Sequence, residues 1–481
     1  MTHRRLIVLS AWVAPVTARA GFWNTVSSAF SSNPDVIVVG AGAAGLAAAV
    51  EAADAGAKVL VLEKQHEIGG NTLKCGGFYA AVDPERQRSR HISDSYDLFF
   101  EQTYDFGGRK ADPALVHHMV NHATEGLHWL ESLGMKFKPE VFELYGAHWP
   151  RTHILTLPLG QGYIRTLSTA ALSRGVEIVT DAQVTDLLTD KGRVSGVRGK
   201  WNGQNHTWTA DKAVILASGS FAANKELIAR YNPKLSGLTT NNTSASTGEA
   251  MMAAHRLGAA LVDMEYIQCL PGCPPGKKHR VRFHNDVSRF IFVNHDGDRF
   301  VREDDSRSNL RNAVLALPER YCYILIDNDG FEEADILMQK ELVLAIEAGE
   351  AWKADSIEQL AEKIGISPRH LRRTVDAFNK SVENKNDPLG RSPRELRHQL
   401  NTPPFYASFA GMTIHYTEGG LAINVKAQCL DESGQPIPGL YAAGAVTGGV
   451  HGNNRLGANG LADAIVFGRT AGKEAAAETS R

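Results

Sequence analysis

The stretch Asp35-Val-Ile-Val-Val-Gly-Ala-Gly-Ala-Ala-Gly45 restricts the fold more than any other part of this chain. Four apolar residues from Val36 read as a buried strand, and a glycine pattern follows at once. Gly40 permits a tight turn, Gly42 lets the backbone approach a pyrophosphate, and Gly45 lets the next helix pack closely on the strand. That helix, with Ala44 in its first turn and running from Leu46 to Ala55, aims free N–H groups and its positive dipole end at the phosphates. Gly56-Ala-Lys-Val-Leu-Val-Leu-Glu63 supplies a second strand, whose terminal carboxylate can accept ribose hydroxyls. The glycine pattern alone is a weak signal. Here strand, turn, helix, strand and acid occur in order, so the segment reads as a dinucleotide cradle.

The continuation, Lys64-Gln-His-Glu-Ile-Gly-Gly-Asn-Thr-Leu-Lys-Cys-Gly-Gly77, selects FAD. A Gly-Gly-Asn segment after the ribose acid forms a second phosphate loop, which a nicotinamide enzyme does not need. Lys64, Gly70, Asn71, Thr72, Gly76 and Gly77 are its candidate contacts. Val184, between strands read at Gly175 to Thr180 and Arg193 to Val197, can present its backbone to adenine. Ala217 and Gly219 end a buried strand from Lys212, and Gly444 ends the strand and turn from Gly439. Asn459 and Leu461 stand where Gly457-Ala-Asn-Gly460 opens a helix read to Gly468, whose N-terminus can stabilise a reduced flavin.

Three further segments are Ala217-Ser-Gly-Ser-Phe221, Gly297-Asp-Arg-Phe-Val301 and Thr447-Gly-Gly-Val-His-Gly-Asn-Asn-Arg-Leu-Gly-Ala-Asn459. Through them the chain, from about residue 34 to its end, resembles the flavoproteins of the fumarate reductase and succinate dehydrogenase superfamily, closest to the soluble fumarate reductase (flavocytochrome c) branch. The resemblance implies an α/β fold: a Rossmann-like FAD-binding domain with an inserted α+β capping domain. The FAD-binding parts would be 34–268 and 416–481, and the cap 269–415. It implies reduction of the double bond of an α,β-unsaturated carboxylate, with hydride from flavin N5 and a proton from an arginine.

In that reading Arg455 matches the arginine that clamps a substrate carboxylate, which suits a fork-shaped group that stays charged when desolvated. Arg307 stands where the family has its proton-donating arginine. An arginine acid is awkward, because its free pKa lies above about 12, so it needs a relay to reprotonate it. His415 and Tyr416 align with two family histidines, and the Tyr416 phenol can still donate a hydrogen bond. The match breaks elsewhere. Leu270 replaces a substrate-binding histidine, the family Thr-Glu pair falls near Arg282 and Phe283, and the relay arginine falls near Asp286. Ala445 stands where many relatives have a glutamate. Asp286, His284 and Glu303 are candidate substitutes for the relay. One carboxylate anchor survives while the other end of the pocket turns partly apolar and aromatic. Fumarate itself is then disfavoured against a mono-carboxylate with a bulky or aromatic tail.

With 481 residues the chain exceeds one typical core, so two domains are expected. A net charge of −2 provides no electrostatic reason to bind nucleic acid or anionic lipid. The five scattered cysteines argue against a disulfide framework or metal site, and no Cys-x-x-Cys-His haem motif occurs. Electrons must then come from a separate donor protein, a cytochrome or flavoprotein. His3-Arg-Arg5, an apolar run Leu6 to Val16 and Thr-Ala-Arg-Ala20 have the order of a twin-arginine export signal, which implies a periplasmic protein. That run is too short for a stable membrane span; a cytoplasmic protein with an extended N-terminus is the other reading. Two other functions remain open: a dehydrogenase of the same superfamily acting on a carboxylate or 3-ketosteroid, and a flavin electron carrier without a substrate. FAD is expected to be non-covalent, because no histidine stands in 71–80 to tether it.

Overall fold

The computed structural model of the protein describes residues 33–144, 146–279 and 286–480. The candidate export segment lies outside the described residues, as do Arg282, Phe283 and His284. Residues 33 onward form one compact unit.

Its base is a six-stranded sheet whose inner strands are too apolar to be anything but covered on both faces. Val36–Val39, Val59–Leu62 and Ala213–Leu216 are buried at every position. The spatial order is Gln428–Leu430, Pro436–Ala442, Ala213–Leu216, Val36–Val39, Val59–Leu62 and Glu177–Val179. All neighbours run parallel except the edge pair 428–430 and 436–442. The strand read at the far end of the chain thus pairs beside the first glycine turn, as Leu440 to Ala442 align with Val214 to Leu216. Val184 lies in Ala182–Asp190, part of a separate three-stranded antiparallel sheet with Arg193–Trp201 and Gln204–Thr209.

Two helices pack side by side against this base. Ala43–Asp54 and Asn459–Ala477 run parallel, Gly468 over Ala44 and Gly472 over Ala48. A Cβ on Gly468 would stand 2.6 Å from the Ala44 carbonyl oxygen, and one on Gly472 would stand 2.2 Å from that of Ala48. Glycine lets the two backbones touch, and the parallel run brings both N-termini to the same end. This small-residue seam carries the last helix to Ala477, beyond the Gly468 limit read from sequence.

A second sheet is organised around Phe405–Thr417, a 13-residue strand that begins just after Pro403-Pro404. It pairs with Thr239–Thr240, Ile267–Gly272, Tyr321–Ile326 and Ala351–Ala354, and Ile291–Val293 joins through Tyr321–Ile326. Helices Ile357–Ile364 and Pro368–Asn384 cover it, burying Leu360, Ala361, Leu371, Val375 and Phe378 against Leu325 and Ala407. The helical stretch read over 356–385 is therefore two helices. Gly365 ends the first in the left-handed region at φ +76°, and Ser367-Pro368 starts the second with a side-chain cap. Among the described residues no helix is long and apolar enough to cross a membrane.

Candidate active site

One large cavity, about 540 Å³, opens where the C-terminal ends of the main-sheet strands face the second sheet. Its first wall is made of backbone. At Gly40, φ is +109° and a Cβ would stand 2.4 Å from the Ala217 carbonyl oxygen; a Cβ on Gly45 would stand 1.9 Å from that of Gly40. Only glycine fits either position. Glu63 accepts the Ala41 N–H through Oε2 and the Gln65 N–H through Oε1, both at 2.9 Å, which holds the turn to the second strand. Burial raises its carboxyl above the usual range, opposed by those two N–H bonds.

Both helix N-termini reach this cavity. Gly42 and Ala458 cap the helices without a side-chain hydrogen bond, so backbone donors remain for a ligand. Thr72 takes one of them, accepting the Ala43 N–H at 3.1 Å. Gly40, Gly42, Ala44, Glu63, Lys64, Gly70, Asn71, Thr72, Gly76, Gly77, Val184, Ala217, Gly219, Gly444 and Leu461 all line the cavity. Gly45 and Asn459 do not. Gly45 lies beneath the turn, while Asn459 is fully buried and donates to the Thr103 hydroxyl at 3.1 Å. Their work is packing behind the wall.

Arg307, Arg455, His415 and Tyr416 line the same cavity, so the four residues singled out in the sequence converge. Arg307 is the first residue of helix Arg307–Ala316, yet it is only 6% exposed rather than displayed among its acidic neighbours. A buried cation at a helix N-terminus opposes the dipole, so another interaction must offset that cost. Gln268 supplies one. Its side-chain oxygen accepts from Arg307 Nη1 at 2.6 Å and from Arg455 Nη2 at 3.0 Å. Its amide nitrogen donates to the Arg455 carbonyl oxygen at 2.9 Å, which sets which way it points. Gln268 sits across from Tyr416 in the strand pair, at a bulge that shifts register between Gln268 and Cys269.

Arg455 also lies over the Tyr416 ring, 4.5 Å from its centroid, and donates to the Leu456 carbonyl oxygen at 3.3 Å. Its buried Nε–H has no partner, so a guanidinium with five donors keeps capacity for an anion. Tyr416 donates to Asp463 at 3.5 Å, and His451 shares that carboxylate oxygen at 3.3 Å. Burial, then Asp463, pushes the Tyr416 phenol well above its usual range, so it remains a donor. Burial lowers His451, leaving it neutral. His415 pairs with the Asn241 side chain at 3.0 Å and its carbonyl oxygen accepts from Asn242 at 2.9 Å.

The remaining wall, contributed largely by the second sheet, is mostly apolar: Leu270, Pro271, Phe290, Phe292 and Ile324, with Leu337 and Met338 from helix Ile336–Glu347, where the acids Asp335 and Glu341 also reach the cavity. Of the three candidate relay groups, Glu303 is fully buried between Arg299 and Arg391, at 2.7 and 2.9 Å, and takes the Phe292 N–H. Asp286 caps the turn at Val287–Arg289 and pairs with Arg397 at 2.8 Å. Neither is drawn toward Arg307 by these contacts, and His284 lies outside the described residues. Gln268 escaped the sequence reading because a single polar residue within Ile267-Gln-Cys-Leu270 looks like any strand interior. Glu418 escaped as the one acid in Thr417-Glu-Gly-Gly420. Among the described residues no group of three His, Cys, Asp or Glu side chains is arranged to hold a metal ion.

The cavity is thus an FAD cradle joined to a cationic end, and residues 35–461 match the family described as FAD binding domain. The chain belongs to that family. Its relatives are soluble fumarate reductase flavoproteins. NADH:fumarate oxidoreductase of Klebsiella pneumoniae is 35% identical over 92% of this chain and 47% of its own length. The chain therefore spans about half of that relative. Urocanate reductase of Eggerthella lenta is 34% identical, covering 93% of this chain and 75% of that protein. Among solved structures, the open conformation of a flavocytochrome c3 fumarate reductase superposes with a TM-score of 0.77 at 34% identity, over 93% of this chain and 78% of that one. The cofactor of the family, FAD, fits what the chain offers: helix ends without side-chain caps, glycines where a Cβ would fill the cradle, and a buried acid, Glu63, at the end of the second strand.

Proposed function

We propose that the protein is a reductase of the double bond of an α,β-unsaturated carboxylate, with fumarate disfavoured against a mono-carboxylate carrying a bulky or aromatic tail. The observation that carries this is the convergence of Arg307 and Arg455 on one carbonyl oxygen, 2.6 and 3.0 Å away, beside an apolar wall. Two guanidinium groups sharing one acceptor are set to share a carboxylate in its stead. Bound FAD supplies the hydride. Arg455, with Tyr416 as a phenol donor, holds the substrate carboxylate, and conjugation with that carboxylate lets negative charge spread away from carbon as reduction proceeds. Arg307 meets the developing charge and gives a proton to the second alkene carbon, then must regain one. Leu270, Phe290, Phe292 and Ile324 receive the tail and keep water from the reacting carbons.

The reading includes a cap over 269–415 that closes on the cofactor domain, a separate cytochrome or flavoprotein as electron donor, and export to the periplasm. It also includes non-covalent FAD: acid precipitation should leave the flavin in the supernatant, and flavin in the pellet would contradict it. The central test is anaerobic. Dithionite-reduced holoenzyme is mixed with fumarate, acrylate, cinnamate and urocanate in turn. Rapid return of the oxidised flavin spectrum, faster with an aryl enoate than with fumarate, is the expected result. Silence with every enoate would favour an electron carrier or a steroid dehydrogenase. A preference for fumarate would overturn only the apolar-tail assignment.

A further inference from the structure

Behind the arginine pair lies a carboxyl group that the proposed chemistry does not use. Glu418 follows the long strand Phe405–Thr417 and is 1% exposed. It is locked there. Its own N–H donates to the Tyr266 carbonyl oxygen at 3.0 Å, and a Cβ on the next residue, Gly419, would stand 2.4 Å from the Asp263 backbone. Oε1 accepts the Arg455 backbone N–H at 3.4 Å, and Oε2 is buried with no partner. An ionised carboxylate with half its acceptor capacity empty is expensive to bury, whereas the acid form is not.

We propose that Glu418 sets the affinity of the cavity for a carboxylate: as the neutral acid it leaves the positive charge of Arg455 to the ligand, and as the anion it competes with the ligand for that charge. This rests on the reading of Arg455 and Arg307 as carboxylate ligands. Burial holds the Glu418 carboxyl up to about 8, against the opposing pull of Arg455, its backbone N–H and Arg311. The sign follows directly. Below about pH 8 the side chain is neutral and the clamp is fully cationic; above it, binding an anion must be accompanied by uptake of one proton.

Ionisable groups face Glu418 from every element packed against it. Tyr416, on its own strand, is held well above 10, and the thiol of Cys269 on Ile267–Gly272 is pushed to about 12. Arg311 on the helix Arg307–Ala316 donates to the Ile267 carbonyl oxygen at 2.7 Å. Asp463, on the last helix, is held by Tyr416 and by His451, which burial lowers from 6.5. In the loop before Ile267, burial raises Asp263 from 3.8 and Tyr266 from 10, and Glu265 stands between them.

Cinnamate serves as the probe, since oxidised holoenzyme can bind it without turnover. Its dissociation constant is read from the flavin absorbance change between about pH 6 and about pH 10. Wild type should show a flat limb and then a rise approaching tenfold per pH unit above about 8. Calorimetry in two buffers of different ionisation enthalpy should register proton uptake on the rising limb. Glu418→Gln, neutral and of the same shape, should show neither. A flat wild-type profile without proton uptake overturns the proposal, even if the variant fails to fold. So does a rise that survives in Glu418→Gln, which would belong to another group, Asp263 first. Cinnamate that binds Arg455→Ala as tightly as wild type would instead remove the clamp itself. Binding that requires Arg455 but ignores pH removes the role of Glu418 alone.

Discussion

The two ends of the cavity are built on opposite principles. At the cofactor end the working groups are main-chain N–H groups and glycines, drawn mostly from the continuous segment Gly40 to Gly77. At the arginine end they are polar and charged side chains gathered from distant segments: Gln268 and Arg455 are separated by 187 positions, Glu418 and Arg455 by 37. At Gly40 and Gly45 the first end has no room for a side chain. The second depends on which side chains are present. Substitutions at the first should therefore act through space and folding, and at the second through charge, with the cofactor retained.

The largest expected effect tests the steric half. Gly45→Ala drives a methyl group to 1.9 Å from the Gly40 carbonyl oxygen, backbone against backbone. It should cost more than about 3 kcal/mol and abolish FAD retention, read by thermal unfolding and the flavin-to-protein absorbance ratio. Gly42→Ala is the contrast, because its nearest neighbour would be Thr72 Oγ1 at an ordinary 3.5 Å. Apoprotein stability should hold while FAD affinity drops. Equal destabilisation of the two apoproteins would break the distinction.

Next comes charge. Arg307→Ala should keep FAD and lose turnover by at least about two orders of magnitude in the anaerobic reoxidation assay, the scale of a positioned acid. A near-normal rate would remove Arg307 from the chemistry. Gln268→Glu puts a carboxylate where both guanidinium groups already donate. It should stabilise the apoprotein yet weaken cinnamate binding by about tenfold to a hundredfold, since hydrogen bonds to charged groups contribute about 1.5–3 kcal/mol. Unchanged affinity would mean that a ligand carboxylate does not use those donors. The smallest effect is expected of Tyr416→Phe, which loses one phenol donor and should raise KM by about threefold to tenfold with flavin content unaltered.

The cofactor and the fold that cradles it were legible in the sequence. Gly40, Gly42, Glu63 and the Gly-Gly-Asn loop proclaim their roles because a turn, a close approach and a strand-end acid are demands on consecutive backbone. Even there, the side chain of Asn459 lies off the cavity lining: whether it faces the cavity or Thr103 depends on a helix more than three hundred positions earlier. The paired arginines were legible through motifs, not through local chemistry, since Arg307 stands among three acids that would suit a solvated face. The helix over 356–385 was read as continuous because apolar spacing persists across Gly365 and Pro368, although those two residues carry the signals for a break.

Local order along the chain was sufficient for the strand, glycine turn, helix and acid of the first wall, because each constrains its immediate neighbours' dihedral angles and needs nothing from afar. No such reasoning reaches Gln268 or Glu418. An amide inside an apolar strand and an acid just past the end of another are indistinguishable from ordinary buried polar groups until the fold brings them to Arg455. Their meaning is electrostatic, Coulomb interactions act through space and not along sequence, and only the packed molecule decides which charges share a low-dielectric interior.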